Sequence, residues 1–183
     1  MIGWIIGAII AIILIMFIYY YNRLVSLSNQ IDNSLSQIDV QLKKRSDLVP
    51  NLLESVKGYM KHERAVITEV TNARKALIGA KTFEKKVQAG NQLESALKSV
   101  FALAENYPNL KANENFLQLQ NELSTIEDKV AYSRQFYNDA ILSYNNTATT
   151  FPGTFFAKIY NRQPKQFLKI TEAEKKVPKV KFE

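Results

Sequence analysis

Hydrophobic positions along this chain fall into two regimes. From Ile2 to Tyr20 nearly every side chain is aliphatic or aromatic, and no charged or amide group occurs between Ile2 and Phe17. As a helix this run reaches roughly 28 Å, close to the hydrocarbon thickness of a bilayer. Trp4 stands near one end and Tyr19-Tyr20-Tyr21 at the other, where amphipathic rings favour the headgroup layer, and Arg23 stops the run. A core helix of a soluble domain would keep one polar face, and none is present. A cleaved signal peptide would want basic residues ahead of the apolar stretch and small residues at its end, where three tyrosines stand instead. Residues 1–21 are therefore read as an uncleaved transmembrane anchor, with Ile2, Trp4, Ile9, Leu14, Phe17 and Tyr20 among its membrane residues.

From Leu24 the pattern changes to a single stripe. Leu24, Leu27, Ile31, Leu35, Ile38 and Leu42 alternate three- and four-residue steps, the signature of a helix with one buried face. The spacing resumes at Val49 and continues through Leu52, Val56, Met60, Ile67 and Val70 to Leu77. Pro50 lies inside it and removes the hydrogen bond to the Ser46 carbonyl, so the pattern predicts one continuous helix kinked around residues 46–50. Gly79 to Thr82 reads as a turn with Thr82 as N-cap of a third helix, Phe83 to about Asn106. Tyr107-Pro108-Asn109 ends it. A fourth helix is predicted from Glu114 to Thr147, capped by Asn113, with Phe116, Leu119, Leu123, Ile126, Val130, Tyr137, Ile141 and Tyr144 buried. Thr150-Phe151-Pro152-Gly153 is a second break, ahead of a short apolar patch around Phe155-Phe156. Residues 161–183 carry seven of the lysines and arginines and read as a basic, partly disordered tail. No segment alternates with period two. The fold expected is all-α: an N-terminal transmembrane helix, an antiparallel bundle of long helices over residues 22–160, and the tail. Seven-residue spacing over the long helices also permits coiled-coil packing, within the chain or between chains.

Charge and composition narrow the chemistry. The net charge is +7, which beside a membrane span points to anionic lipid headgroups ahead of nucleic acid. With no cysteine, disulfides, thiolate metal sites and cysteine nucleophiles are excluded. His62 is the sole histidine; a helical zinc protease would need another at Val66, and a di-iron bundle would need two. No Gly-rich phosphate loop and no G-x-S-x-G elbow occurs. No catalytic residue, metal or cofactor is assigned.

Two clusters remain as candidate interaction sites. Lys43-Lys44-Arg45 is the densest cationic group before the tail; it suits phospholipid headgroups or an acidic partner, while a solvated face with Asp39 and Asp47 beside Lys43 is the plainer reading. Phe155-Phe156 either lies in the membrane interface or caps the open end of the bundle, and aromatic residues following a bundle helix usually fold back as caps. Arg74 and Arg134, beside apolar stripes, suggest interhelical pairs with an acid such as Glu54 or Glu127. Gly3 and Gly7 have the GxxxG spacing that lets two spans approach.

Several segments resemble the LemA family of bacterial membrane proteins. They are Tyr21-Asn22-Arg23-Leu24-Val25, Ile38-Asp39-Val40-Gln41-Leu42-Lys43-Lys44-Arg45, Asp47-Leu48-Val49-Pro50-Asn51-Leu52, Val56-Lys57-Gly58-Tyr59 with His62-Glu63, and Ala73-Arg74. Later come Ser133-Arg134-Gln135-Phe136-Tyr137-Asn138, Phe151-Pro152-Gly153 and Pro178-Lys179-Val180-Lys181-Phe182. The chain departs from the family at Leu35, where tryptophan is frequent, and at Ser46, where a ring residue is. The resemblance implies a single span with a short external N-terminus and a helical bundle on the cytoplasmic side, and it brings no catalytic mechanism. Arg23, Lys43, Lys44 and Arg45 after the span give the same orientation by the positive-inside rule. The function expected is that of a cell-membrane, single-pass scaffold or interaction module, not an enzyme. It would bind membrane lipid through its span and protein partners or a second copy through helix faces. The alternative is a lipid-surface, membrane-organising protein acting through its basic C-terminal region, with a metal-dependent enzyme as the third and least favoured reading.

Overall fold

A computed structural model describes residues 1–60 and 62–168; the remainder of the basic tail, 169–183, lies outside the described residues. Among the described residues the chain is helical with no strand: α1 (Ile2–Lys57), α2 (Arg64–Gly79), α3 (Phe83–Ala104), α4 (Pro108–Lys111), α5 (Glu114–Thr149) and α6 (Gly153–Ile159). They form two compact units, one made of residues 1–34 and 134–183, the other of residues 35–133.

In the first unit, residues 2–15 of α1 are exposed along their whole circumference, as expected of a segment long and apolar enough to cross a membrane. Burial begins where the stripe begins. Leu24, Leu27 and Ile31 of α1 meet Ala140, Ile141, Tyr144 and Ala148 of α5 and Ala157 of α6 in one core. The C-terminal end of α5 lies beside Tyr20, so α5 runs antiparallel to α1 here.

The second unit is a helical bundle. Ile38, Leu42, Val49, Leu52 and Val56 of α1 are all at most 1% exposed, as are Val70 of α2, Leu93 and Val100 of α3, Leu110 of α4 and Val130 of α5. The three-residue link between α2 and α3 makes those two helices antiparallel neighbours. Thr82 caps α3 by accepting from the Lys85 amide, and Asn113 Oδ1 accepts from the Phe116 amide at the start of α5, both as the sequence predicts.

Two elements differ from expectation. The helix predicted to run on to Leu77 stops at Lys57, and non-helical residues, a turn described at 58–60 and 62–63, separate it from α2. Met60 within the turn is fully buried, so the apolar spacing carries on across a backbone that is no longer helical. The short helix α4 begins with Pro108, whose fixed φ and missing N–H suit a first helical position.

At Pro50, by contrast, α1 is continuous. The Ser46 carbonyl left without its backbone donor accepts a hydrogen bond from Arg74 Nε of α2 at 2.9 Å. Arg74 therefore does not pair with Glu54, which instead meets Lys57 one turn along α1.

Candidate functional site

The end of the apolar run is enclosed by an aromatic collar. Gly153, Phe156, Ala157 and Tyr160 recur at three- and four-residue steps, which places them on one face of the α6 region. Phe156 stacks on Tyr20 with ring centroids 4.8 Å apart and meets Phe17 edge-on at 4.9 Å. Tyr160 approaches Phe17 at 6.3 Å and Tyr21 at 5.4 Å, and its hydroxyl donates to the Phe17 carbonyl at 2.8 Å. A single edge-on or stacked pair is worth about 0.5–1.5 kcal/mol beyond its area. Several converge here on one turn of α1. The close approach depends on Gly153, since a Cβ there would lie 2.0 Å from the Thr147 carbonyl oxygen.

The two phenylalanines singled out from sequence therefore part company. Phe156 is buried and caps the core of the first unit. Phe155 is 57% exposed on the other side of α6. Of the membrane residues, Ile2, Trp4, Ile9 and Leu14 are exposed, whereas Phe17 and Tyr20 are half-buried because α6 covers them.

Beyond α6 the chain lies along α5. Asn145 accepts from the Lys165 amide at 2.8 Å and donates to the Lys165 carbonyl at 2.9 Å. Asn138 does the same for Leu168, accepting at 2.9 Å and donating at 3.4 Å. Seven residues of helix and three of extended chain both span about 10 Å, so the two amides are in register with the two residues they hold. Lys165 also reaches Ser28 Oγ at 3.1 Å and stands 5.2 Å from the centre of the Tyr144 ring. Burial raises the Tyr144 phenol above its usual range, with the Arg162 charge acting in the opposite direction. Of the basic segment expected from residue 161, the described residues 161–168 are fastened to α5 at two points.

The cationic cluster divides too. Lys43 and Lys44 are exposed, and Lys43 pairs with Asp47 at 2.8 Å. Arg45, expected as a possible interaction residue, is 1% exposed, and its Nη1 donates to the Gly90 carbonyl and to Glu94, each at 3.2 Å. At helical spacing, residues 43 and 45 differ by some 200° around the axis, so one faces water when the other faces the core. Asp39 turns from Lys43 to Lys86 of α3. Glu94 also meets Lys98, which bridges onward to Glu127 of α5 at 2.8 Å. Glu127, a candidate partner of the arginines, is thus joined to a lysine. Burial would raise the Glu94 carboxyl, but the Lys98 hydrogen bond and the Arg45 charge outweigh it and hold it below its usual value. Glu127 in turn raises Lys98, against desolvation and with help from Glu94.

Beside this network, Lys44 and the first half of α5 line an open groove of about 650 Å³ that includes exposed Leu117 and Gln118, with buried Ile126 at its floor. Among the described residues no group of three or more histidine, aspartate or glutamate side chains is arranged to hold a metal ion. His62, the lone histidine, is exposed in the turn before α2. Sequence reasoning did not single out Asn138, Asn145 or Gly153 as individual positions of structural weight. Two asparagines one heptad apart on a helix carried the only local hint.

Comparison with known proteins bears on this architecture. The LemA family profile matches residues 34–182. The chain is similar to Protein LemA of Metamycoplasma hominis, 28% identical over 71% of this chain and 60% of that protein. It is also similar to Magnetosome protein MamQ of Magnetospirillum gryphiswaldense and Magnetosome protein MamQ 1 of Paramagnetospirillum magneticum. Each is 21% identical over 76% of this chain and 61% of the relative. The chain thus spans about 60% of the length of these curated relatives.

Proposed function

Because this chain belongs to the LemA family, we propose that it is a membrane-anchored helical scaffold that binds partner proteins, or a second copy of itself, through exposed helix faces. The observation that carries this reading is the use made of α1. Its first turns offer only apolar surface to the surroundings, and from Leu24 the same helix becomes part of a packed core. A helix exposed and apolar all round has its natural surroundings in lipid. Absence of linker residues between anchor and core in α1 supports fixation at the membrane surface. Arg23, Lys43 and Lys44 follow the apolar run, and by the positive-inside rule they favour a cytoplasmic location for the bundle.

Binding rather than catalysis fits the side chains best. The most deeply buried ionic group, Arg45, is matched to Glu94 and a backbone carbonyl, an arrangement that holds helices in register. The relatives are named for a family and for the magnetosome rather than for a reaction. Exposed apolar residues beyond those the core needs, Val40, Ile78, Leu117 and Tyr132, are available for helix-face contacts. A photocrosslinking amino acid placed at Leu117 of the full chain, in native membranes, is expected to yield discrete protein adducts. Recovery of uncrosslinked monomer alone from Leu117, Val40 and Tyr132 would overturn the scaffold reading.

A further inference from the structure

We propose that α6 and the turn before it form a second membrane contact, with Phe151, Phe155 and Ile159 seated in the headgroup and upper acyl layer beside the span. The proposal rests on the reading of α1 as a membrane helix and adds a depth to a part of the chain more than 130 residues away in sequence.

Three observations converge. First, α6 is docked at a defined height. Phe156 and Tyr160 touch Phe17, Tyr20 and Tyr21, and the Tyr160 hydroxyl bonds to the Phe17 carbonyl. Those α1 residues close the apolar run, where a membrane helix leaves the hydrocarbon. Whatever depth they have, α6 shares it.

Second, the face of α6 turned away from the core is apolar where a solvated helix would be polar. Phe151 is 88% exposed, Phe155 57% and Ile159 49%. Phe155 and Ile159 are one turn apart on the same side of α6, and Phe151 lies in the turn that leads into it. In water Phe155 and Ile159 would present a joined apolar surface, with exposed Phe151 ahead of it; in the interface that surface is removed from water. Third, cations flank the patch at the same level. Lys158 on α6 and Arg23, two residues beyond Tyr21 on α1, are both exposed, and long cationic side chains at such a boundary extend toward anionic headgroups.

Continuity decides the occupant. Ile18 and Tyr19, exposed on α1 in the same turns, belong to the apolar surface of the span. The α6 patch extends that surface sideways, so the lipid covering the one reaches the other. Phe155 and Phe156, adjacent in sequence, then have complementary tasks: Phe156 holds α6 to α1 and Phe155 holds it to the bilayer.

A chain without cysteine allows the depth to be read directly. Single variants Ile13→Cys, Asn29→Cys and Phe155→Cys of the full-length protein would be spin-labelled in nanodiscs of phosphatidylethanolamine and phosphatidylglycerol. Collision with oxygen and with a water-soluble nickel chelate is then compared. The label at position 155 is expected to favour oxygen several-fold over the label at position 29, approaching position 13, and Ile159→Cys should repeat the result. Chelate access at positions 155 and 159 equal to that at position 29, with position 13 in lipid, overturns the proposal and leaves the span intact. Chelate access at position 13 overturns the span reading and this one with it. Labels at position 155 shielded from both reagents and broadened by a neighbouring label also overturn it, assigning the face to a second copy.

Discussion

Arg45 and Lys43 stand two positions apart in one basic run, yet the structure gives them opposite environments. Lys43 shares an exposed i, i+4 pair with Asp47, of a kind worth a few tenths of a kcal/mol. Arg45 has a side chain only 2% exposed, and its removal leaves Glu94 without its buried partner. Breaking such a pair from one side costs about 3–5 kcal/mol in a full interior. Because the Glu94 side chain keeps 23% exposure, the cost here should fall near the lower end of that range. Arg45→Met is therefore expected to lower the thermal midpoint of the detergent-solubilised full chain markedly, and Lys43→Ala to leave it nearly unchanged, both read by circular dichroism. Equal effects would mean that Arg45 contributes no more than a surface cation. A cluster of like residues in the sequence announces positive charge, but only helical phase tells which member is solvated. Beside Arg45, the chain's periodicity already contained that answer, since Leu42 and Val49 mark the buried stripe to which residue 45 is adjacent.

At the scale of the helices, α1 shows how a proline is accommodated in a long element. Pro50 costs the Ser46 carbonyl its donor, and Arg74 of α2 supplies another. An unsatisfied buried carbonyl costs about 1–3 kcal/mol. Arg74→Met should destabilise the bundle by an amount in that range, whereas the same change made alongside Pro50→Ala should cost less, because the alanine amide restores the internal bond. Additive effects in a denaturant double-mutant cycle would rule out the coupling. A second element depends on a single backbone approach: Gly153→Ala places a methyl group against the Thr147 carbonyl and should undock α6. Limited proteolysis is expected to cut the variant after residue 150 faster than the parent, and an unchanged rate would show that α6 tolerates the methyl group. The boundaries of α3 and α5 were legible in the sequence because Thr82 and Asn113 cap them locally. The turn that follows Lys57 was not, since Met60 keeps the hydrophobic beat while the backbone leaves the helix; Gly58 was its one local signal. Nor was the placement of residues 161–168, whose partners on α5 lie 20 to 30 residues away and whose clamps are neutral amides without a hydrophobic pattern.

For the molecule as a whole, the excess of cations makes the few well-placed carboxylates consequential. Glu94 receives both Arg45 and Lys98, and its carboxyl is held below the 4.5 of an unperturbed glutamate. A group whose folded value is lowered contributes stability above its unfolded value and loses it as pH falls through the folded one. Lys98 acts in the other direction: raised above 10.5 by Glu127 and Glu94, it contributes fully below that value and loses its share as pH rises through the higher, folded one. The network thus favours a plateau between mildly acid and mildly alkaline pH, with an acid limb beginning near pH 4.5 and an alkaline limb above 10.5. Acid also raises the net positive charge of a chain already at +7, so general repulsion deepens the same limb. The two contributions separate with Glu94→Gln, which cannot gain a proton and leaves the rest of the charge inventory nearly intact. That variant should have a lower plateau, because Arg45 loses its counter-charge, and a shallower fall below pH 4.5, because one fewer linked proton is taken up on unfolding. Thermal midpoints measured across pH on the full chain in detergent give both quantities. An acid limb as steep in the variant as in the parent would place the acid sensitivity elsewhere among the carboxylates and reduce the Arg45–Glu94–Lys98 chain to a packing feature.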